Sequence, residues 1–483
     1  MAQSKVQQAA LAQVALALWL ALWLALWLAI AAAQPALAQV ISKTYADGSI
    51  YKGNFEAGLQ HGEGMFLRPD GFEYSGEWQA GQMHGAGTAR YPSGAVYVGQ
   101  FKDGRADGQG KITYADGTWY DGAWRAGAIT GQGRANYAGG AVYQGDFLNG
   151  LRHGVGEWSD ATGFRYQGAW EQGRKQGAGQ ITYPDGAVYD GQMQNDLPEG
   201  RGQLVAAGGT VYTGDWRAGE IHGIGRLSEP SGDTYVGGFA AGKRAGQGLQ
   251  TYANGDSFYG RFSDDQRSGM GTFTAKDGTR QTGNWAGGVI NGTGEVLFRG
   301  GEKYQGDLRA TLPHGRGAIV YLDGASYDGE WQNAVQSGQG TAVYADGASY
   351  RGTFVAGQPD GIGVMSYPNG ATYVGLWSGG KRHGFGEIKG GSDGLTYRGG
   401  FRGGLYHGQG RMTLADGFDY QGGWLDGLMW GKGRLRYANR DIYEGGFKAG
   451  QRDGRGVLRP RRGAAQSGIW RGDVLAAPDQ VQP

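Results

Sequence analysis

The sequence predicts an all-β fold, an elongated single-layer twisted antiparallel sheet, solenoid-like, built from tandem 23-residue β-hairpins. Three observations predict it. An aromatic-x-Gly triplet recurs at a fixed period along most of the chain, glycines stand at fixed positions inside each period, and the residues between them alternate with strand spacing, broken by turn residues twice per period. Composition agrees with this. One hundred glycines, 28 tyrosines and 15 tryptophans in 483 residues fit neither collagen, which needs glycine at every third position, nor a disordered chain, which lacks apolar surface to offset the entropy of ordering.

The N-terminal element differs from all that follows. Residues 1–38 begin with a polar stretch carrying Lys5, continue through an apolar run from Ala9 to Ala33, and end on Ala36-Leu37-Ala38. Small residues at such a boundary are what a signal peptidase reads, so a signal peptide cleaved before Gln39 is expected. The alternative is an uncleaved anchor within residues 9–33, because the apolar run is long enough to span a bilayer core of ~30 Å. Either way the expected location is outside the inner membrane, periplasmic or extracellular, or held at the membrane as part of the cell envelope. The chain has no cysteine, so neither a disulfide nor a lipidated cysteine contributes.

Residues 39–50 form a lead-in, residues 51–470 the repeat array, and residues 471–483 a short tail. Numbering each repeat from its leading aromatic as position 1, starts fall at Tyr51, Tyr74, Tyr97, Tyr120, Tyr143, Tyr166 and onward to Tyr443, with a truncated copy at Gln466. Every step is 23 residues except Tyr373 to Tyr397, which is 24. Position 3 is glycine in all nineteen copies, positions 12 and 14 in all eighteen complete ones, and position 5 is aromatic in seventeen of nineteen.

Within a repeat, positions 1, 3 and 5 share one face of a strand, and positions 14, 16 and 18 share one face of the next. Position 21 is nearly always glycine after Asp, Asn, Ser or Gly, as in Asp70-Gly71 and Asp116-Gly117, which is turn chemistry. Glycines near positions 8 and 12 are expected to bracket the second turn. Glycine weakens a strand, so Gly53, Gly62, Gly64, Gly76, Gly85 and Gly87 need a structural reason, and aromatic rings lying over bare backbone supply one. Departures from the pattern mark places where the array can bend or be recognised: Asp196 and Asp265 at position 8, Pro198, Pro313 and Pro359 in the inner turn, Gln281 at position 1, and one residue inserted near Gly390 to Gly394.

The stretch Tyr51-x-Gly53-x-Phe55-x-x-Gly58-x-x-x-Gly62-x-Gly64, repeated in register, resembles the MORN (membrane occupation and recognition nexus) repeat. One copy would be a weak match, whereas eighteen in register are specific. The resemblance implies a module for protein–protein contact, self-association or, in some relatives, association with membrane lipid.

No catalytic, metal or cofactor-binding residues are expected. All seven histidines, from His61 to His407, fall at position 11, and repeats spaced ~9–10 Å apart, two strand spacings, cannot bring two of them to the ~2.0–2.1 Å from one ion that zinc requires. Carboxylates such as Asp70, Asp116 and Asp185 recur at the outer turn, whereas a catalytic pair occupies one asymmetric pocket. Gly-x-Gly triplets abound without phosphate-loop spacing. A formal charge of +1 with interspersed signs leaves no basic stripe for nucleic acid.

The expected function is therefore a non-catalytic exported scaffold. Its partner-binding surface is expected to be an uncovered aromatic face formed by Tyr97, Phe101, Tyr120, Trp124, Tyr143, Phe147, Tyr166 and Trp170, docking a protein or peptide or a second copy. A cell-wall or glycan-binding repeat protein is the alternative, since such rings can stack on sugars. Peripheral membrane-lipid association is the third reading, weakened by the absence of a polybasic cluster.

Overall fold

A computed structural model describes residues 40–480; the expected signal peptide or anchor lies outside the described residues. These residues fall into two compact units, divided between Ala207 and Gly208. In the first unit every strand from Ile41–Thr44 to Leu197–Val205 lies antiparallel to its neighbours in the chain, forming an uninterrupted succession of hairpins. In the second, the same arrangement runs from Val211–Arg217 to Val474–Pro478. The expected tandem-hairpin, all-β architecture is what each unit shows. Among the described residues the sole helical element is a single 3₁₀ turn at Ala138–Gly140, and no helix is long and apolar enough to cross a membrane.

Both ends reach further than the repeat pattern indicated. The lead-in contains the strand Ile41–Thr44, and the stretch read as a tail contains Val474–Pro478, which pairs back onto Gln466–Arg471.

Each hairpin follows from its sequence. In the strand Val96–Lys102, Tyr97 and Phe101 are buried while Val98, Gln100 and Lys102 are exposed, so positions 1 and 5 face a core and even positions face solvent. Position 3 pairs with position 14, as Gly99 with Gly110. The position-1 ring lies over this glycine pair: a Cβ on Gly110 would fall on the hydroxyl and ring carbons of Tyr97, and one on Gly99 would meet the Gly110 Cα. Gly53 and Gly64 lie under Tyr51, and Gly76 and Gly87 under Tyr74, in the same way. The tyrosine hydroxyl then donates to the position-4 carbonyl, 2.9 Å in Tyr51 to Asn54 and in Tyr97 to Gln100. Ring coverage thus accounts for the strand glycines of positions 3 and 14, and the hydroxyl explains a preference for Tyr over Phe at position 1.

The two turns differ. At the outer turn the position-21 glycine N–H donates to the position-18 carbonyl, as Gly117 to Tyr114 at 3.0 Å. The position-20 carboxylate accepts the position-22 N–H, as Asp116 from Thr118 at 2.9 Å, which is the role expected of the repeated carboxylates. The inner turn is a two-residue loop at positions 7 and 8, with Glu56 paired to Leu59 across Ala57 and Gly58. Both loop residues have positive φ, 49° and 82°, as a type I′ turn requires. Positions 8 and 12 therefore do not bracket the turn. Gly62 and Gly85, at position 12, lie inside the strands Leu59–Leu67 and Gln82–Arg90 at φ 67° and 56°, where a register shift bulges the ladder.

That correction relocates position 10 from the turn into the strand. Its C=O accepts the position-8 N–H of the next hairpin, as Gln60 from Gly81 at 2.9 Å, and N–H and C=O of one strand residue point the same way. The position-10 N–H accordingly faces the next hairpin and makes no bond within its own. Proline is tolerated there for this reason: Pro198, Pro313 and Pro359 sit in strands, opposite Met193, Leu308 and Phe354.

Asp196 and Asp265 acquire a role from the same geometry. Each carboxylate accepts the position-10 N–H of the preceding repeat, Lys175 at 2.9 Å and Arg244 at 3.0 Å. Each also pairs with that residue's cation, Lys175 Nζ at 3.8 Å and Arg244 Nε at 3.1 Å. Burial pushes the Lys175 ammonium down, opposed by Asp196. Asp473 repeats the arrangement with Arg452, 2.9 Å from N–H and 3.1 Å from Nε. The position-8 aspartates are inter-repeat clamps.

The remaining irregularities are absorbed locally. Gln281 brings no ring, and Ile290 and Leu308 fill the space over Gly283 and Gly294, with Ile290 fully buried. The inserted residue lies in an outer turn closed by Gly390 N–H to Leu395 C=O at 3.0 Å, and pairing resumes at Lys389 with Thr396.

Candidate functional site

The eight rings expected to form an uncovered face are brought together as one ladder. Tyr97 stands edge-to-face against Phe101 (5.0 Å, 87°) and against Trp124 of the next repeat (5.1 Å, 81°). Tyr120 links Trp124 to Phe147, and Tyr143 links Phe147 to Trp170. Tyr166 packs on Trp170 at 5.2 Å and 85°. Such contacts contribute ~0.5–1.5 kcal/mol each beyond burial. Trp124 Nε1 also donates to Gly110 O at 2.9 Å and Trp170 Nε1 to Gly156 O at 3.2 Å.

This packing corrects the expectation of an exposed seam. Tyr97, Phe101, Tyr120, Tyr143, Phe147, Tyr166 and Trp170 are all buried, none more than 4 % exposed, and Trp124 is half-buried. A tyrosine that lies over its glycine pair and is flanked by two other rings, as Tyr143 is, has no face left for a partner. Burial also raises their hydroxyl pKa values, to about 12 for Tyr120 and Tyr166.

An accessible site lies above this ladder. A groove of about 1140 Å³ crosses successive repeats of the first unit between residues 60 and 150. Of the eight rings, only Phe101 and Trp124 reach it. Its further apolar lining includes position 10, with Met83, Ala106 and Ile129, position 18, with Tyr91 and Tyr114, and the neighbouring Phe66, Phe72, Trp78 and Ile112. Tyr91 and Tyr114 are 37 % and 42 % exposed, and desolvation raises both hydroxyls above their ordinary value. Arg68, Asp70, Asp103 and Arg105 supply charge along its borders.

The groove was hidden in the sequence because position 10 reads as part of a turn, whereas it is the strand residue beside the ladder. The position-18 tyrosines carried a signal, since they recur on the same strand face as the core.

Position 10 also decides where the groove stops. Past Gly150 the next such residue is Arg152, whose guanidinium carbon stacks 4.7 Å from the Trp158 ring and 4.3 Å from Trp170. It fills the space that Ala106 and Ile129 leave open. Further along the first unit Lys175 stands over Phe164. In the second unit Arg244, Arg267, Arg382 and Arg452 stack on the position-5 ring of the following repeat. Cation–π contacts of this kind contribute ~0.5–2 kcal/mol.

Position 11 is likewise a strand position and not a turn residue. Asp107, Gln176, Asn291 and Asp360 accept a backbone N–H from the next inner turn at 2.9–3.1 Å. His61 instead approaches Glu56 at 3.0 Å. Among the described residues no group of three or more His, Asp or Glu is placed to hold a metal ion.

A family model described as MORN repeat matches seventeen segments between residues 51 and 459, among them 97–119, 120–142 and 143–165. It passes over residues 281–303, the copy beginning with Gln281. No curated protein matches the chain significantly. Among solved structures, the TCP domain of SAS-4 (dCPAP) of Drosophila melanogaster, in complex with a proline-rich motif of Ana2, is similar at 12% identity over 46% of this chain and 90% of its own, with a TM-score of 0.17. The TCP10 domain of Danio rerio CPAP, in complex with a STIL peptide, is similar at 12% identity over 69% of this chain and 92% of its own, with a TM-score of 0.08. A streptogramin B lyase is similar at 12% identity over 61% and 91%, with a TM-score of 0.11. Overlaps this loose bear on neither fold nor function.

Proposed function

The chain belongs to the MORN-repeat family, and from that premise we propose that it is a non-catalytic interaction scaffold whose first unit binds an extended segment of a protein partner. The observation that carries this reading is the groove over Met83, Ala106 and Ile129. It is apolar along its floor, carries half-exposed tyrosines and has charged groups at its borders, which suits an extended peptide that buries alternate side chains. The N-terminal apolar segment supports export, so the partner belongs to the cell envelope or its exterior. A scaffold also suits a chain in which the chemistry-bearing residues recur at fixed repeat positions with structural roles, as the outer-turn aspartates do.

Site-specific photocrosslinking tests this. A photoreactive residue in place of Tyr114 is expected to trap a partner polypeptide in envelope extracts, whereas one in place of Val98, on the exposed opposite face, is not. Met83→Asp with Ile129→Asp is expected to lower the yield at position 114 at least tenfold while the circular dichroism stays that of a sheet. Equal trapping from both faces, or trapping indifferent to the two aspartates, would sink the reading.

A further inference from the structure

In Lys175, Arg244 and Arg452 the position-10 residue shows how this fold receives a carboxylate. The backbone N–H donates to one carboxylate oxygen and the side-chain cation approaches the same oxygen, with Asp196, Asp265 and Asp473 as the acceptors. In the two arginine cases the terminal NH2 group also donates to the backbone carbonyl of that aspartate, 3.0 Å in Arg244, with the equivalent contact in Arg452 at 2.6 Å.

Arg152 and Arg382 repeat the donor half of this arrangement. Their guanidinium carbons stand 4.3 Å and 5.3 Å from the next position-5 rings, Trp170 and Phe401. Their terminal NH2 groups donate to the position-8 carbonyls of Gly173 and Gly404 at 2.7 Å and 2.8 Å. Gly173 and Gly404 N–H groups donate back to the arginine carbonyls at 2.9 Å. The one difference is the missing carboxylate. Glycine holds position 8, so no carboxylate stands where Asp265 and Asp473 meet the N–H and Nε–H of their arginines.

The place is open. A Cβ on Gly404 would meet nothing within 4 Å, and one on Gly173 only Leu151 Cδ2 at 3.9 Å. A cavity of about 310 Å³ is bordered by both Arg152 and Gly173. The stacked ring holds the guanidinium in place, so little side-chain freedom is lost when an anion arrives.

We propose that Arg152 and Arg382 are carboxylate receptors, each taking the side chain of an aspartate or glutamate from a bound peptide in the position that Asp265 and Asp473 occupy beside their own arginines. The receptor chemistry stands independently; that a peptide carries the carboxylate rests on the groove reading. At Arg152 the two sites adjoin, since Gly150 borders both the groove and the Arg152 cavity. A ligand filling the groove would therefore meet Arg152 with an acidic residue at that end.

The test uses the full chain labelled with ¹⁵N at arginine Nε, titrated with Nα-acetyl-glutamate α-amide and, at matched ionic strength, with Nα-acetyl-glutamine α-amide. Neither probe can fill the groove, so failure here is separable from failure of the crosslinking experiment. The expected result is a saturable shift of the Arg152 and Arg382 Nε–H resonances with the glutamate probe alone. Arg244 and Arg452, already occupied by Asp265 and Asp473, serve as internal controls and should not move. Gly173→Asp and Gly404→Asp should weaken the response of the facing arginine at least tenfold by supplying the carboxylate from within. Shifts shared by all four arginines, or equal shifts with the glutamine probe, would overturn the proposal.

Discussion

At position 14 a single hydrogen atom decides whether a repeat closes. Gly110 lies beneath the Tyr97 ring, and a methyl group there would fall on the hydroxyl and ring carbons. Gly110→Ala is expected to cost about 1–3 kcal/mol, the range for overpacking a tight site. Tyr97→Phe keeps the ring and removes the 2.9 Å bond to the Gln100 carbonyl, so it should cost about 1 kcal/mol. Urea unfolding read by tyrosine and tryptophan fluorescence would rank the two, and a Gly110→Ala chain as stable as the parent would refute the covering-ring account. The copy starting with Phe258 already lacks the hydroxyl, yet its ring lies over Gly260 and Gly271. Coverage is thus the primary requirement and the hydrogen bond an addition to it.

At the scale of one hairpin the outer turn was legible in the sequence and the inner one only in part. Asp116-Gly117 announces a turn because each residue has a single strong local role, a side-chain acceptor and a positive φ. Gly58 and Gly62 carry positive φ as well, but one closes a hairpin and the other bulges a strand, and glycine spacing alone does not separate these. That ambiguity moved position 10 into the turn and hid both the groove and the clamps. The clamps are testable because position 8 is left-handed, φ 67° at Asp265. Asp265→Gly removes the carboxylate without straining the backbone, while Asp265→Ala removes it and keeps a Cβ at positive φ. Both should destabilise the hairpin pair around Arg244, alanine more than glycine by about 1 kcal/mol. Hydrogen exchange of the strand Lys243–Thr251 would report it, and unchanged protection in both variants would deny the clamp any stabilising part.

At the scale of the whole molecule, contacts within each unit repeat between neighbours, so stability sums over repeats and so does its pH dependence. Burial raises the position-1 tyrosines from 10.0 to about 12 in Tyr120, Tyr166, Tyr235, Tyr327 and Tyr443, among others. A group that stays protonated longer in the folded chain gives stability that is complete below its unfolded pKa. That stability is lost as pH rises through the folded value. The chain should therefore unfold between about pH 10 and 12, with tyrosinate absorbance at 295 nm and loss of near-ultraviolet dichroism rising together. Ionisation of these tyrosines near pH 10 with the sheet intact would contradict their burial. The fold was legible at this scale because each repeat restates it, whereas the faces available to a partner were not. Burial depends on what the next hairpin places overhead, so repeat position alone does not tell the buried Tyr143 from the half-exposed Tyr114. The outward turn of the position-10 amide carries one more implication. Because its amide N–H makes no bond within its own hairpin, that residue is free to differ from copy to copy, and it does: Gln60, Met83, Ala106, Ile129, Arg152, Lys175, Pro198. The fixed glycines and rings of each repeat are a constant typeface and position 10 a changing letter. Duplicating or deleting one repeat would insert or remove one character, shifting the spacing of everything beyond it without misspelling any hairpin.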